Sequence, residues 1–233
     1  MKIALVGYGK MGKVIERIAQ SRGHEICARV SRHDDISKAY HADVVIEFTS
    51  PESVINNLIE LIKNKVPVVC GTTGWNHELA SISKLVEEKE GQVVYASNFS
   101  LGVNLFFELN SQLAEMMSKF KEYELHLTEV HHIEKKDAPS GTALSIFDQL
   151  KAFTGNKNWH LGTDNKEDSV AINALREKDV KGTHIVSYSN EIDMIEIKHE
   201  AHSRDGFALG AVMAAEWLLD KQGIFTMKDV LGL

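Results

Sequence analysis

The chain has 233 residues, of which 43% are hydrophobic and 25% are charged, and its formal net charge is −7. This composition is typical of a globular protein with one large domain or two modest ones, and the acidic balance disfavours a nucleic-acid partner. No apolar run approaches the roughly 18 residues of a membrane span, and the first residues enter a strand without the features of a signal peptide, so we expect a cytoplasmic protein that binds no membrane.

Short β-rich runs alternate with helical patterns over the first hundred residues. The runs are short and mostly apolar, which is typical of parallel strands buried on both faces. Between them, apolar residues recur at helical spacing, and this alternation predicts βαβ units and a parallel sheet. The predicted strands are residues 2–7, 24–32, 43–50, 66–71 and 92–97.

The pattern changes near residue 100. Apolar residues at helical spacing predict a long helix over residues 105–120. Residues 123–132 then alternate between apolar and polar, which is typical of a strand with one solvated face. Residues 183–190 and 192–201 are predicted to be further strands of the same open sheet.

Residues 154–169 are polar and contain glycine, so we predict a loop there, and residues 206–223 are predicted to form a last helix that returns to the first domain. The fold class is therefore predicted to be an α/β Rossmann-type dinucleotide-binding domain with an inserted α+β domain that contains an open mixed sheet. The expected domains are 1–102 plus 205–233 for the dinucleotide, and 103–204 for substrate binding and oligomerisation.

Cys27 and Cys70 are the two cysteines of the chain, and each lies in a predicted strand. We expect both to be small buried hydrophobic residues rather than disulfide partners, metal ligands or nucleophiles.

The sequence GYGKMG fits the pattern G-x-G-x-x-G directly after a strand and at the start of a helix. In that position the glycines allow a tight turn and a close approach of a pyrophosphate to the helix N-terminus. The alternative is that the glycines serve only a tight turn. The predicted cofactor contacts are Gly7, Tyr8, Gly9, Lys10, Met11 and Gly12.

The next strand should end in an acid that binds the adenine ribose, but it ends in Ser31 and Arg32. Arg29, Arg32 or Lys10 is positioned in the sequence to meet the 2′-phosphate of NADPH. The alternative is that these are solvated surface cations. The cofactor is therefore predicted to be NADH or NADPH, without a preference.

Two further segments follow predicted parallel strands, at the sheet edge where ligands bind in open α/β folds. The sequence CGTTGW has more glycine than a plain turn requires, and ASNFSLGVN leads into the second domain. We predict that both contact the cofactor through Gly71, Thr72, Thr73, Ala96, Ser97, Asn98 and Phe99.

The stretch EVHHIEKKDAPSGTAL concentrates groups that transfer protons, namely His131, His132 and Lys135. Adjacent histidines at a strand end are commonly surface or core residues, which is one alternative. A metal site is the other, although no HExxH or CxxC spacing is present and we predict no metal. Its possible ligands would be His131, His132, His184, His199 and His202.

Ser140 is predicted to cap the helix that follows this stretch. The free N–H groups of Gly141 and Thr142 would then form a positive helix end suited to a carboxylate, with the charge of Lys135 nearby. The stretch therefore predicts an anionic substrate beside a proton donor.

The same stretch closely resembles the motif E-x-H-H-x-x-K-x-D-x-P-S-G-T-A of the 4-hydroxy-tetrahydrodipicolinate (dihydrodipicolinate) reductases, and the three glycine-containing segments resemble the cofactor segments of that family. The resemblance implies NADH- or NADPH-dependent reduction of a small cyclic dicarboxylate in lysine and diaminopimelate biosynthesis, in a homotetramer. It implies that His131 and Lys135 are catalytic. It further implies that the substrate contacts are His132, Lys135, Ser140, Gly141 and Thr142.

Two features depart from the family pattern: the ribose-binding acid is absent, and Lys178 stands where the segment R-x-G-x-x-x-G-x-H usually has its first glycine. Which of His131 and Lys135 donates the proton stays open, and the substrate is expected in a cleft between the domains. Other hypotheses are a non-catalytic NAD(P)-sensing module, a metal hydrolase, and a Rossmann reductase that acts on another anionic substrate.

Overall fold

A computed structural model describes residues 1–155 and 157–233 of the chain. The backbone separates into two compact units, one formed by Met1–Asn104 together with Asp205–Leu233 and the other by Leu105–Arg204. Asn156, which falls within the predicted loop 154–169, lies outside the described residues.

The first unit is built on a six-stranded parallel sheet with the strand order β11-β5-β4-β3-β1-β2. Its strands are short and apolar, as expected for a parallel sheet that is covered on both faces. The strands are β1 (Lys2–Val6), β2 (Glu25–Val30), β3 (Val44–Glu47), β4 (Val68–Cys70), β5 (Gln92–Tyr95) and β11 (Gly223–Phe225). The helices are α1 (Lys10–Ser21), α2 (Pro51–Lys63), α3 (Leu79–Lys89), α6 (Asp205–Leu218) and α7 (Met227–Leu231).

Two buried clusters cover the faces of this sheet. Side chains alternate along β1, so Ile3 and Leu5 join the cluster under α1 and α6, whereas Ala4 and Val6 join the cluster under α2 and α3. The α6 helix contributes mainly alanines, which allow its backbone to approach the sheet closely. The predicted Rossmann-type first domain is therefore confirmed.

The prediction that Cys27 is buried is wrong, whereas Cys70 is buried as expected. Cys27 lies on β2, which is the outermost strand of the sheet. A strand at the edge has only one neighbour, and here its alternate residues remain accessible to solvent.

The second unit is built on a five-stranded mixed sheet with the strand order β10-β9-β6-β8-β7. Its central strand is antiparallel to β9 and parallel to β8. The strands are β6 (Glu124–His132), β7 (Asn158–Leu161), β8 (Ser169–Glu177), β9 (Thr183–Ser189) and β10 (Met194–Glu200). The helices are α5 (Gly141–Thr154) and α4 (Leu101–Met117), which begins in the residues of the first unit.

One face of this sheet carries the core of the second unit. Leu127 and Ile172 from the sheet pack with Phe106 of α4 and Ile146 of α5. The alternate residues of β6 are only partly buried, which leaves the opposite face uncovered in the single chain. The predicted open mixed sheet is confirmed.

The prediction of one loop over residues 154–169 is wrong, because the segment contains β7 and ends at the start of β8. The β7 strand is short and half-exposed at the sheet edge, so it lacks a hydrophobic signature. Neither β8 nor the short elements β11 and α7 was predicted from the sequence. The continuous apolar part of β8 is only three residues long and cannot be distinguished from a helical segment by periodicity.

No helix in residues 1–155 and 157–233 combines the length and apolar character needed to cross a membrane. The cytoplasmic location expected from the sequence remains a prediction.

Candidate active site

The turn after β1 carries the glycine fingerprint. Gly7 has a φ of 96°, its N–H donates to the carbonyl of Val30 at 2.9 Å, and a Cβ at this position would lie 1.9 Å from the carbonyl oxygen of Phe48. A Cβ on Gly12 would lie 2.6 Å from the carbonyl oxygen of Gly7, so the start of α1 packs directly on the turn. Within the described part of the chain nothing lies within 4 Å of a Cβ on Gly9, which leaves its backbone accessible to a ligand.

A cavity of about 600 Å³ opens at this turn. Residues after β1 and β2 and the turn after β3 line it, and the N-terminus of α1 lies at its edge. A glycine-lined cavity beside a helix N-terminus fits the phosphates and adenosine half of a dinucleotide. The lining residues include Gly7, Tyr8, Gly9, Ser31, Arg32 and Asp34.

The two arginines near this cavity differ in their surroundings. Arg29 binds the carboxylate of Glu16, which also accepts the hydroxyl of Tyr8, and its guanidinium lies 5.7 Å from the centre of the Tyr8 ring. The hydrogen bond from Arg29 lowers the pKa of Glu16. Arg32, in contrast, lines the cavity. Arg29 is therefore held in an ion pair with Glu16, whereas Arg32 lines the cavity in which a ligand would bind.

A second cavity of about 230 Å³ lies at the ends of β3 and β4. Met11, Gly71, Thr72 and Thr73 line it, together with the side chain of Phe48. A Cβ on Gly71 would lie 2.1 Å from the Phe48 ring. Gly71 thus has a packing reason to be glycine, and the backbone of the loop lies at the same edge as the first cavity.

The segment after β5 runs beside this edge. The N–H of Ala96 donates to the carbonyl of Cys70 at 3.2 Å, and the ring centres of Phe99 and Phe48 are 5.9 Å apart. A Cβ on Gly210 of α6 would lie 1.7 Å from the carbonyl oxygen of Phe99. The backbone of Phe99 is therefore held in place by α6.

Six residues predicted to contact the cofactor line neither cavity, namely Lys10, Gly12, Ala96, Ser97, Asn98 and Phe99. Lys10 and Ser97 are exposed. Asn98 shapes its own segment, since its side-chain oxygen accepts the N–H of Ser100 at 2.9 Å and its carbonyl accepts the amide of Asn104 at 3.0 Å.

A buried carboxylate organises the site of the second unit. Glu129, on the covered face of β6, is 0% exposed and accepts the N–H of Ser140 at 3.0 and 3.1 Å. Arg176 of β8 donates to the same carboxylate at 3.3 Å. His131 Nδ1 and His184 Nε2 lie 3.4 and 3.8 Å from its other oxygen. One carboxylate therefore connects three strands and the start of α5.

His131 is buried beside this carboxylate. Burial lowers the pKa of His131, Glu129 raises it, and the positive charges of Lys135 and Arg176 lower it further, so the net effect favours the neutral imidazole. A Cβ on Gly182 would lie 3.2 Å from Nε2 of His131, so the absence of a side chain there leaves room at this nitrogen.

The other two members of the HHxxK pattern lie differently. Lys135 is mostly buried, its ammonium donates to Asp137 at 2.8 and 2.9 Å, and this contact lowers the pKa of Asp137. Alternation along β6 places His132 on the sheet face opposite His131. The structure therefore places the charge of Lys135 within electrostatic range of His131, whereas His132 lies on the other face of the sheet.

The start of α5 has the predicted cap. The side chain of Ser140 accepts the N–H of Ala143 at 3.2 Å, and its hydroxyl lies 3.3 Å from Nε2 of His184. The N–H groups of Gly141 and Thr142 have no intrahelical acceptor because they belong to the first turn. This helix end is therefore suited to a carboxylate, and substrate binding there stays a prediction.

Sequence reasoning gave no role to Glu129 or Arg176, and it considered His184 only as a metal ligand. The alternation of β6 places Glu129 on the same face as its buried leucines, and this was the available signal. Ligand atoms of Glu129, His131 and His184 lie within 4.8 Å of one another. However, the carboxylate already accepts two cationic or N–H donors, which disfavours a bound cation.

The two halves of the chain match the two domain models of one family. Residues 1–99 match the model described as dihydrodipicolinate reductase, N-terminus, and residues 102–231 match the model described as dihydrodipicolinate reductase, C-terminus. The chain belongs to the dihydrodipicolinate reductase family. The resemblance seen in the sequence is thereby confirmed, and as a member of this family the chain is an NAD(P)H-dependent oxidoreductase.

Curated members of the family are similar over most of their length. The 4-hydroxy-tetrahydrodipicolinate reductase of Christiangramia forsetii is 48% identical over 237 residues, which cover 100% of this chain and 98% of the relative. The enzyme of the same name from Methanosarcina barkeri is 37% identical, and the match covers 88% of this chain and 78% of the relative.

Solved structures share the fold at low sequence identity. A dipicolinate-bound dihydrodipicolinate reductase from Paenisporosarcina sp. TG-14 has a TM-score of 0.77 at 19% identity, and the match covers 97% of each chain. An amine dehydrogenase from Mycobacterium smegmatis has a TM-score of 0.64 at 9% identity, covering 97% of this chain and 95% of the other.

Lys178, the departure from the family segment, lies in an exposed turn after β8. The second glycine of that segment is Gly182, which faces His131. The departure therefore affects a surface turn and leaves the position next to the imidazole unchanged.

Proposed function

We propose that this reductase uses a reduced nicotinamide cofactor to convert 4-hydroxy-tetrahydrodipicolinate to tetrahydrodipicolinate in lysine and diaminopimelate biosynthesis, and that His131, Lys135 and the start of α5 perform the chemistry on the substrate. The observation that carries the proposal is the arrangement around Glu129, where a buried imidazole, an ammonium group and a helix N-terminus lie within one compact unit. A small dicarboxylate supplies the charges that this arrangement complements.

The first unit would hold the cofactor. The residues after β1 and β4 fit a dinucleotide because the backbone at Gly9 and the cavities beside it are accessible, and the N-terminus of α1 favours phosphate. When bound, the cofactor supplies the hydride.

The second unit would bind the substrate and deliver the proton. The free N–H groups of Gly141 and Thr142 and the ammonium of Lys135 would neutralise a carboxylate. In the empty site the lowered pKa favours the neutral imidazole of His131, and a bound dianion would raise this pKa and allow His131 to carry the proton. His131 is thus the proposed donor, with Lys135 in a coupled role.

The test is the oxidation of NADH and NADPH with substrate made in place from pyruvate and aspartate semialdehyde by the preceding synthase. We expect His131→Ala and Lys135→Ala to lower turnover roughly 100- to 10,000-fold, the usual contribution of general acid–base catalysis, and to leave NADH affinity nearly intact. The exposed neighbour provides a matched control, Lys136→Ala, which should retain turnover.

Parallel loss of cofactor affinity and turnover would count against these roles. Cofactor binding by the wild-type protein without any oxidation would favour a different substrate or the non-catalytic sensing module.

Both reduced cofactors are proposed substrates, with Arg32 as the contact for the 2′-phosphate of NADPH. Arg32 lines the larger cavity, whereas Arg29 is paired with Glu16. We expect Arg32→Ala to raise the KM for NADPH more than tenfold with little change for NADH. If Arg29→Ala produced that selective effect instead, the assignment would be reversed.

A homotetramer is also proposed, with the open face of the second sheet as the contact surface. Thr128 and Ile185 are neighbours on this face, and both are only partly buried in the single chain. Sedimentation should show a tetramer for the wild type and for Lys63→Glu on the surface of α2, and smaller species for Ile185→Glu. A monomeric wild type would refute the proposal.

A further inference from the structure

We propose that Glu47, at the end of β3, is a positioning residue that holds the cofactor loops of the first unit and whose charge favours the oxidised form of the cofactor. This inference rests on the proposed cofactor site at the loops after β1 and β4. Glu47 is 0% exposed, although strands of a parallel sheet rarely carry a charged residue in their core.

The carboxylate of Glu47 is held by short polar contacts. One oxygen accepts the hydroxyl of Thr49 and the amide of Asn57, the latter at 3.2 Å. The other accepts the hydroxyl of Thr72 at 2.7 Å and lies 3.5 Å from the thiol of Cys70. These donors are all neutral, and no ion pair within the described residues includes Glu47.

A buried carboxylate without a cation is costly, so its presence needs a compensating role. Packing alone does not supply one, because the groups recorded around the carboxylate are hydroxyl, amide and thiol groups rather than apolar side chains. The structure indicates a different role for Glu47, because its carboxylate contacts both the turn after β3 and the loop after β4.

Thr72 makes that connection. Its hydroxyl donates to Glu47 and accepts the N–H of Thr49 at 2.7 Å, so the loop after β4 is fastened to the turn after β3. The carbonyl of Thr72 accepts the indole N–H of Trp75 at 2.8 Å. With both contacts present, the side chain and the backbone of Thr72 are fixed at the edge of the smaller cavity.

The turn that Glu47 anchors also touches both glycine loops. Phe48 follows Glu47, and its carbonyl oxygen would lie 1.9 Å from a Cβ on Gly7, while its ring would lie 2.1 Å from a Cβ on Gly71. A shift of this turn would therefore displace the loops after β1 and β4 together. Glu47 thus helps to fix the positions of the two loops at which the cofactor is proposed to bind.

The charge of Glu47 gives a second consequence. An oxidised nicotinamide ring carries a positive charge that the reduced ring lacks, so a buried carboxylate that pairs with no cation and lies near the site would stabilise the oxidised form selectively. A carboxylate with a purely structural role would change the affinity for both forms equally.

The experiment compares Glu47→Gln and Glu47→Asp with a matched control, Glu87→Gln, on the exposed surface of α3. Dissociation constants for NADH come from fluorescence titration, and those for NAD⁺ come from competition. For Glu47→Gln we expect the ratio of the NAD⁺ constant to the NADH constant to rise on the order of tenfold. For Glu47→Asp, which keeps the charge but retracts it, we expect weaker binding of both forms and an unchanged ratio.

A folded Glu47→Gln with the wild-type ratio would overturn the electrostatic part of the proposal, and wild-type affinity of Glu47→Asp for both forms would overturn the positioning part. If Glu47→Gln did not fold, as judged by circular dichroism, Glu47→Asp would still test both parts, because a rise in its ratio with the charge retained would overturn the electrostatic part. These measurements need no substrate, so their outcome is independent of whether the proposed reduction is correct.

Discussion

The buried imidazole of His184 should make the second unit lose stability in mild acid. His184 is 4% exposed, and burial, aided by the nearby His131 and His199, lowers its pKa from 6.5 to about 3. In the unfolded chain the imidazole returns to its ordinary pKa and takes up a proton below about pH 6.5. The folded state does not, so between these two pKa values the stability decreases as the pH falls.

The size of the effect follows from the proton taken up on unfolding. One proton corresponds to a slope of about 1.4 kcal/mol per pH unit in the free energy of unfolding, which amounts to about 2 kcal/mol between pH 7 and pH 5 for this residue. Burial also lowers the pKa values of His131 and His199, so their contributions have the same sign. Carboxylates contribute mainly below this window because their unfolded pKa values are near 4.

Urea denaturation at a series of pH values from 7 to 5 measures this slope. Hydrogen exchange of peptides from β6 and β9 assigns the transition to the second unit. We expect His184→Gln to reduce the slope by up to about 1.4 kcal/mol per pH unit relative to the wild type, which corresponds to one proton. His33→Gln, at an exposed position, should leave the slope unchanged. An equal slope in the wild type and His184→Gln would refute the reasoning, because the buried imidazole would then contribute no proton uptake.

Three further predictions concern the loops, the core and metals. Gly71→Ala should weaken NADH binding at least tenfold in a titration while retaining the helical signal, because a Cβ there overlaps the Phe48 ring; unchanged affinity would mean that the ring moves freely. Leu127→Ala, in the core of the second unit, should lower the free energy of unfolding by about 2 to 5 kcal/mol in urea denaturation, and a loss below 1 kcal/mol would indicate that the site collapses around the deletion. Chelators should leave NAD(P)H oxidation unchanged, and inhibition reversed by added zinc would instead indicate a metal bound by Glu129, His131 and His184.

The parallel sheet could be predicted from the sequence because its strands are buried on both faces. Continuous apolar runs such as residues 3–6 of β1 need no tertiary context to be recognised. The edge strands β7 and β11 are short, partly exposed and lack that signature. These two strands join their sheets by pairing with β8 and β5, respectively. That pairing depends on the tertiary fold rather than on the local sequence.

The candidate sites show the same division between local and long-range information. The groups at His131, Lys135 and Ser140 lie within ten residues of one another, so their association was visible in the sequence. Arg176 and His184 reach Glu129 only through the pairing of β6 with β8 and β9. That pairing joins positions more than 40 residues apart, which no local pattern indicates.

The packing of α6 and β11 into the first unit sets an order of events during synthesis. Residues 1–104 emerge first, but the sheet face that α6 covers and the edge of β5 that β11 pairs with stay open until the last part of the chain is made. At ordinary elongation rates of about 5 to 20 residues per second, that interval is roughly 5 to 25 s. The second unit, which is continuous in sequence, can close its core first. The nascent nucleotide-binding unit therefore waits as an incomplete sheet with an exposed apolar face, which is the kind of surface that chaperones bind.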